Sequence, residues 1–165
     1  LRGYGVSVDT LPDMQTAMQT TGCTVMELLF NAFHQDVRAG LGGAAAQGIG
    51  LIAKVPLDSG WLSGRYDADS RFSGVRDRWL PDDISRRALL VEQFAALLPA
   101  GMSLAHAALG YALAQQQLTT VIPGARSLQQ VADNMAASNV KLDTRTIDAI
   151  LALWHREIED EPLPW

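Results

Sequence analysis

Short, nearly continuous apolar runs alternate along this chain with stretches whose apolar residues recur every third or fourth position. The runs predict strands at 3–8, 24–30, 49–55 and 119–122, and the periodic stretches predict helices at 12–21, 34–47, 82–98, 103–116, 127–138 and 144–157. Thr10 with Asp13 is a capping pair for the first helix, and Gly22 closes it. The second helix has a glycine-interrupted middle and ends at Gly48. Apolar strands separated by helices imply a parallel sheet covered on both sides, or a barrel. The fold class predicted is α/β, with four β/α units plus extra helices. On the apolar faces of 86–98 and 104–113, Leu89, Leu90, Phe94, Leu97, Leu104, Leu109 and Leu113 are expected as core stripes.

Residues 56–80, PLDSGWLSGRYDADSRFSGVRDRWL, break the pattern as a long connection rich in glycine and arginine, of the kind that carries function or moves. Trp61 and Trp79 bracket it, each either a core anchor or part of a substrate wall. The second break is VIPGARSLQQVADN at 121–134. Val121 and Ile122 end a strand, Pro123-Gly124 turns the chain, and Ser127 caps the next helix. Arg126 stands beside the positive end of that helix dipole. Backbone N–H groups, dipole and guanidinium converge there as they do on a phosphate.

At 165 residues with 48% apolar content, the chain has the composition of one globular domain with a core. Its net charge of -5 argues against general nucleic-acid binding and against an anionic membrane surface. No run is long and apolar enough to span a bilayer, and no signal peptide is visible. Cys23 is alone, which excludes a disulfide framework and Cys-based metal spacing and fits a buried thiol in a reducing, cytoplasmic setting. His34, His106 and His155 are expected on helix surfaces or at caps. Of the cations only Lys54 and Lys141 are lysines, and arginine suits bidentate phosphate contacts.

In a (β/α)8 barrel, ligands bind at the C-terminal ends of the strands, and phosphate often sits after the last two strands. Both ligand-like segments, 56–65 and 123–134, follow the last two strands here. At these segments the chain resembles the aldo-keto reductases. IAKVPLDSGWLSGRY at 52–66 is similar to the family's segment after strand seven, and VIPGARSLQQVADN to its cofactor signature. GVSV at 5–8 and FN at 30–31 match further family positions. The resemblance runs from barrel strand five onward. It implies the C-terminal half of a (β/α)8 TIM barrel, a single partial domain over 1–165, as the chain's start inside a strand-like run also suggests.

The family binds NADP(H) and moves hydride to carbonyl compounds. The resemblance therefore implies that Ser7 and Glu27 meet the nicotinamide carboxamide, although the family usually has Gln where Glu27 stands. Lys54 replaces an aromatic ring that stacks on the nicotinamide. It either reaches the cofactor or forms a structural ion pair with Glu27. Val55, Pro56, Leu57 and Ser59 would line the pyrophosphate path. Gly124 and Arg126 would meet the adenosine end, Arg126 on the 2′-phosphate, with Gln130 and Asn134 on the adenine edge and Asp133 near the ribose or adenine. From the set Arg65, Arg71, Arg76 and Arg78, one arginine is expected to clamp the pyrophosphate. The family's catalytic Tyr, Lys, Asp and His come from strands with no counterpart here, and Tyr4, Tyr66 and Tyr111 lie outside the matching motif. The expectation is a cofactor-binding part of an NADP(H)-dependent oxidoreductase of small carbonyl substrates, without catalytic residues or metal and inactive alone. Its open edges would be completed by the N-terminal half of the barrel or by a second copy. The alternatives are a non-catalytic nucleotide-binding or regulatory module of the same fold and, more remotely, a phosphate-binding enzyme of unrelated chemistry.

Overall fold

The computed structural model describes residues 1–74 and 77–164. Four strands, β1 (Gly5–Val8), β2 (Val25–Leu29), β3 (Gly50–Lys54) and β4 (Thr120–Ile122), form one parallel sheet in the order of the chain. The helices are α1 (Leu11–Thr20), α2 (Leu41–Ala46), α3 (Pro81–Ala96), α4 (Leu104–Leu113), α5 (Leu128–Ala136) and α6 (Thr144–Glu157). The architecture is half of a TIM barrel. Among the described residues no helix is long and apolar enough to cross a membrane.

Local chemistry sets most boundaries. Thr10 Oγ1 accepts from the Asp13 amide at 3.2 Å and donates to the Asp13 carboxylate at 2.8 Å, opening α1. Gly22 and Gly48, at φ of 65° and 75°, supply the left-handed turns that end α1 and α2. The expected helix over 34–47 divides into a 3-10 segment, Asp36–Gly40, and α2. Close packing fixes the division: a Cβ at Gly40 would lie 2.8 Å from Met14 Sδ and 2.9 Å from Leu11 Cδ1 on α1.

Helices cover one face of the sheet only, not both, although Leu29 at the end of β2 is buried on the other. Met26 and Leu28 of β2 and Leu51 and Ala53 of β3 point outward into the helical layer and are fully buried. Their neighbours Ser7, Glu27, Ile52 and Lys54 alternate to the opposite, inner face and stay partly or fully exposed. Of the predicted stripe residues, Leu90, Phe94 and Leu109 are buried, and Leu97 and Leu104 pack against the core. Leu89 and Leu113 correct the expectation: they are 54% and 38% exposed, because they fall beside the buried stripes of α3 and α4. Tyr111 of α4 is fully buried and ties the 3-10 segment to the core. Its hydroxyl donates to Gln35 Oε1 at 2.6 Å and accepts from Arg38 at 3.1 Å. Burial pushes its phenol up to about 12, against the opposing pull of the Arg38 charge.

Three outcomes follow. Gly40→Ala should cost about 1–3 kcal/mol by overpacking against Met14 and Leu11. Gly42→Ala, in α2 with nothing within 4 Å of the added Cβ, should add about 0.5–1 kcal/mol; urea unfolding reads both. Above pH ~10 the unfolded chain releases the Tyr111 proton and the folded chain retains it, so stability falls as pH rises. The melting temperature should fall more steeply between pH 9.5 and 11 for the unaltered chain than for Tyr111→Phe.

Candidate functional site

The parallel strands all end at one rim, and the connections after β3 and β4 face each other across a cleft of about 620 Å³. One wall is Val55, Pro56, Leu57 and Ser59, continued by Gly60, Ser63, Arg65 and Tyr66. The other is Ile122, Gly124, Ala125 and Arg126, with Gln130, Asp133 and Asn134 from the start of α5.

The turn before α5 is shaped by its own side chains. Ser127 caps the helix by accepting from the Gln130 amide at 3.2 Å. Gln130 Oε1 accepts from the Arg126 amide at 2.6 Å, and Asn134 Nδ2 donates to the Gly124 carbonyl at 3.3 Å. Each amide side chain thus spends one end on the turn. The Gln130 amino group and the Asn134 carbonyl have no hydrogen bond among the described residues. Asp133 accepts from Gln129 at 2.9 Å, and its backbone carbonyl lies 3.1 Å from His106 Nε2, which joins α4 to α5. Arg126 is exposed, and neither it nor Arg65 forms an ion pair among the described residues. Two guanidiniums therefore line one cleft, beside a helix N-terminus.

The opposite wall carries backbone strain. Val55, Asp58 and Ser59 have φ of 53°, 45° and 55°. This region costs non-glycine residues about 1–3 kcal/mol each, and a β-branched residue is rarest there. Buried polar groups hold the turn from below. Asn31, fully buried at the end of β2, donates from Nδ2 to the Val55 carbonyl at 2.9 Å. Asp58 is also fully buried, with Oδ2 2.8 Å from the guanidinium of buried Arg87 and Oδ1 3.3 Å from His34 Nε2. Burial alone would raise the Asp58 carboxyl, but the adjacent His34 imidazole and the charge of Arg87 outweigh it and hold the group below the usual carboxylate value. Arg87 also donates to the Pro164 carbonyl and stacks 5.0 Å from the centre of the Trp79 ring.

Ser7, Glu27 and Lys54 lie on the inner sheet face, outside the cleft. Lys54 Nζ donates to Ser7 Oγ at 2.8 Å and pairs with Asp9 at 2.6 Å. Of the two alternatives for Lys54, the ion pair with Glu27 is not formed, because Lys54 closes onto Asp9 at the end of β1. Glu27 stands level with Ser7 and Ile52 in the register. Trp61 and Trp79 resolve as core anchors: both are buried in an aromatic cluster with Tyr66 and Phe72. Arg71 folds onto the carbonyls of Asp69 and Ser70, Arg78 lies 5.2 Å from the Trp79 ring centre, and Arg76 falls outside the described residues. His155 lies on a helix surface as expected, paired with Glu159 at 2.6 Å. His34 does not: it is only 11% exposed and belongs to the Asp58 cluster.

Asp58 and Arg87 are what sequence reasoning missed. Arg87 occupies an apolar register on α3, between Ile84 and Val91, where a cation needs a buried partner. That interruption was the available signal.

The chain is similar to named proteins over part of their length. The protein named "Probable voltage-gated potassium channel subunit beta" of Oryza sativa subsp. japonica is 34% identical over 118 residues, covering 64% of this chain and 35% of that protein. The glycerol dehydrogenase AKR11B4 from Gluconobacter oxydans superposes with a TM-score of 0.78 at 20% identity, over 99% of this chain and 51% of its own. The holo form of aldo-keto reductase AKR11C1 from Bacillus halodurans gives a TM-score of 0.71 at 23% identity, over 92% and 50%. The chain thus spans about half of these solved structures and about a third of the plant relative. The model of the aldo/keto reductase family matches residues 1–155, strands, cleft and rim together, and the chain belongs to that family.

Proposed function

We propose that this chain is the cofactor-gripping, C-terminal half of an NADP(H)-dependent aldo/keto reductase, one partial domain over 1–165, lacking its own proton-donating residues. The observation that carries the reading is the cleft between the two post-strand connections, with Arg65 and Arg126 lining it free of carboxylate partners. Its chemistry fits a dinucleotide. Guanidiniums and α5 amides suit phosphates, and the Gln130 amino group and Asn134 carbonyl offer the donor and acceptor that an adenine edge complements. On this reading Arg126 holds the 2′-phosphate with Gly124 beside it, and Asp133 faces the ribose. Val55, Pro56, Leu57 and Ser59 pass the pyrophosphate, with Arg65 as its clamp. Ser7 and Glu27 address the carboxamide from the inner face. Lys54, held by Asp9, orients Ser7 and cannot stack on a ring. A bound nicotinamide supplies hydride for carbonyl reduction. This chain's residues bind and orient, and the proton donor comes from elsewhere. A cytoplasmic setting accords with the buried free thiol of Cys23.

The sheet's inner face and two edge strands call for a complement. The two edges differ: exposed Leu128, Val131 and Met135 of α5 form an apolar stripe, whereas the groove at β1 is lined by Asp13, Thr16 and Thr20 of α1. A self-paired ring would set the apolar stripe of α5 near the polar flank of α1. That favours an N-terminal half-barrel over a second copy. The rice relative's name keeps one alternative open, a non-catalytic module that holds nucleotide and regulates a partner.

Titration of the chain with NADPH and NADH, followed by nucleotide fluorescence, tests the reading. Arg126→Ala should weaken NADPH by about 10–100-fold and leave NADH within about 2-fold. Equal losses for both would remove the 2′-phosphate role, and no binding by well-folded protein would remove the cofactor reading.

A further inference from the structure

A carboxylate, a guanidinium and an imidazole share the interior directly beneath the cleft, and nothing in nucleotide recognition asks for them there. Burying ions is costly, and a buried pair is poor evidence of stabilisation for its own sake. This group is also incompletely satisfied. Arg87 Nε and the indole nitrogens of neighbouring Trp61 and Trp79 have no acceptor among the described residues. Its position accounts for it better than its stability does.

Asp58 sits inside the strained turn, flanked by Ser59, and three of the residues from 55 to 59 occupy the left-handed region. Without an inward anchor, an aspartate here would place its carboxylate in water and let the turn relax to an ordinary conformation. The anchors come from two separate elements: Arg87 from α3 at 2.8 Å, and His34 from the connection after β2 at 3.3 Å. His34 is itself fixed by backbone pairing with Asn31, whose side chain clamps the Val55 carbonyl. Both ends of the turn are thereby fastened to one buried polar frame. The Arg87 charge also cancels that of Asp58, so the carboxylate beneath the cleft does not repel an anion above it.

We propose that Asp58, through its buried contacts with Arg87 and His34, is a positioning residue that holds the Val55–Ser59 turn in its strained, cleft-lining form. Asp58 touches no ligand and acts through the turn's backbone. The loop-ordering part stands on geometry alone, and its consequence for affinity rests on the nucleotide reading above.

Two measurements on the full chain test it. Hydrogen exchange of the ligand-free protein reads the amides of Asp58, Gly60, Leu62 and Gly64, whose bonds to Val55, Leu57 and Trp61 carbonyls define the turn. Asp58→Asn should lower their protection at least 10-fold more than that of the β2 and β3 amides, and a uniform or absent change would overturn the proposal. NADPH titration should show at least 10-fold weaker binding for Asp58→Asn. Leu153→Ala, a core truncation in α6, should lower the melting temperature and keep NADPH affinity within 2-fold. Equal affinity losses in both variants would reduce Asp58 to a merely structural role. If the unaltered chain binds no NADPH, the cofactor reading falls and the exchange result still decides the role of Asp58 in the turn. If Asp58→Asn does not fold, His34→Ala leaves the Asp58–Arg87 pair in place. The same amides should then lose protection selectively, and their failure to do so would overturn the proposal.

Discussion

The buried contact between Asp58 and Arg87 joins the cleft to α3 and to the C-terminal segment. Through Asp58 it reaches the turn that lines the cleft, and through the Arg87 guanidinium it reaches the Trp79 ring and the Pro164 carbonyl near the chain's end. Adjacent Arg86 makes a parallel connection, donating to the carbonyls of Glu157 and Glu161 at 2.7 and 2.6 Å. Two neighbouring arginines of α3 thus bind the C-terminal segment, and one of them also supports the cleft. Breaking such a pair from one side leaves an uncompensated buried charge, at a cost of about 3–5 kcal/mol. The long connection after β3 is anchored by its aromatic residues, which pack on one another and on Arg87.

What the sequence revealed follows the range of the interactions. The Thr10 and Ser127 caps and the Gly22 and Gly48 closures involve residues a few positions apart, so their chemistry is written locally. The cleft's two walls were legible for the same reason, since each is one contiguous segment with its own turn and anion chemistry. Asp58 and Arg87 are 29 positions apart, and neither carries a local sign of the other. The same holds for Lys54, whose partner Asp9 lies 45 positions away at the end of β1 and was not foreseen from the sequence. Strand composition misled on coverage. β2 and β3 read as apolar throughout, yet only alternate residues enter the helical layer, and Glu27 and Lys54 mark the face that does not.

The one-sided sheet divides the proposed cofactor's contacts unequally. Every residue assigned to phosphate, ribose and adenine lies on the two connections or on α5, which this chain folds and fastens itself. The residues assigned to the nicotinamide, Ser7 and Glu27, lie on an inner face that a closed barrel would enclose. Electrostatic contacts gain strength when water is excluded, so the inner-face contacts are weak while that face is open. The Lys54–Asp9 bridge belongs to the same open region: with side chains 21% and 45% exposed, it is a screened surface pair whose main effect is to orient Ser7.

Affinity and chemistry are thereby separable in this fold. Affinity for a dinucleotide comes mostly from its anionic end, where preorganised amides and guanidiniums act without help from the rest of a barrel. Hydride transfer needs the opposite end enclosed, dry and supplied with a proton donor. On the proposed reading Tyr4 does not serve as that donor, because its hydroxyl donates to the Thr21 carbonyl before β2. Tyr111 does not either, because it is buried on α4 with its hydroxyl committed to Gln35 and Arg38. On the proposed reading, a chain that holds its cofactor by one end can serve a catalytic complement or a regulated partner. Which of these applies depends on what encloses the inner face.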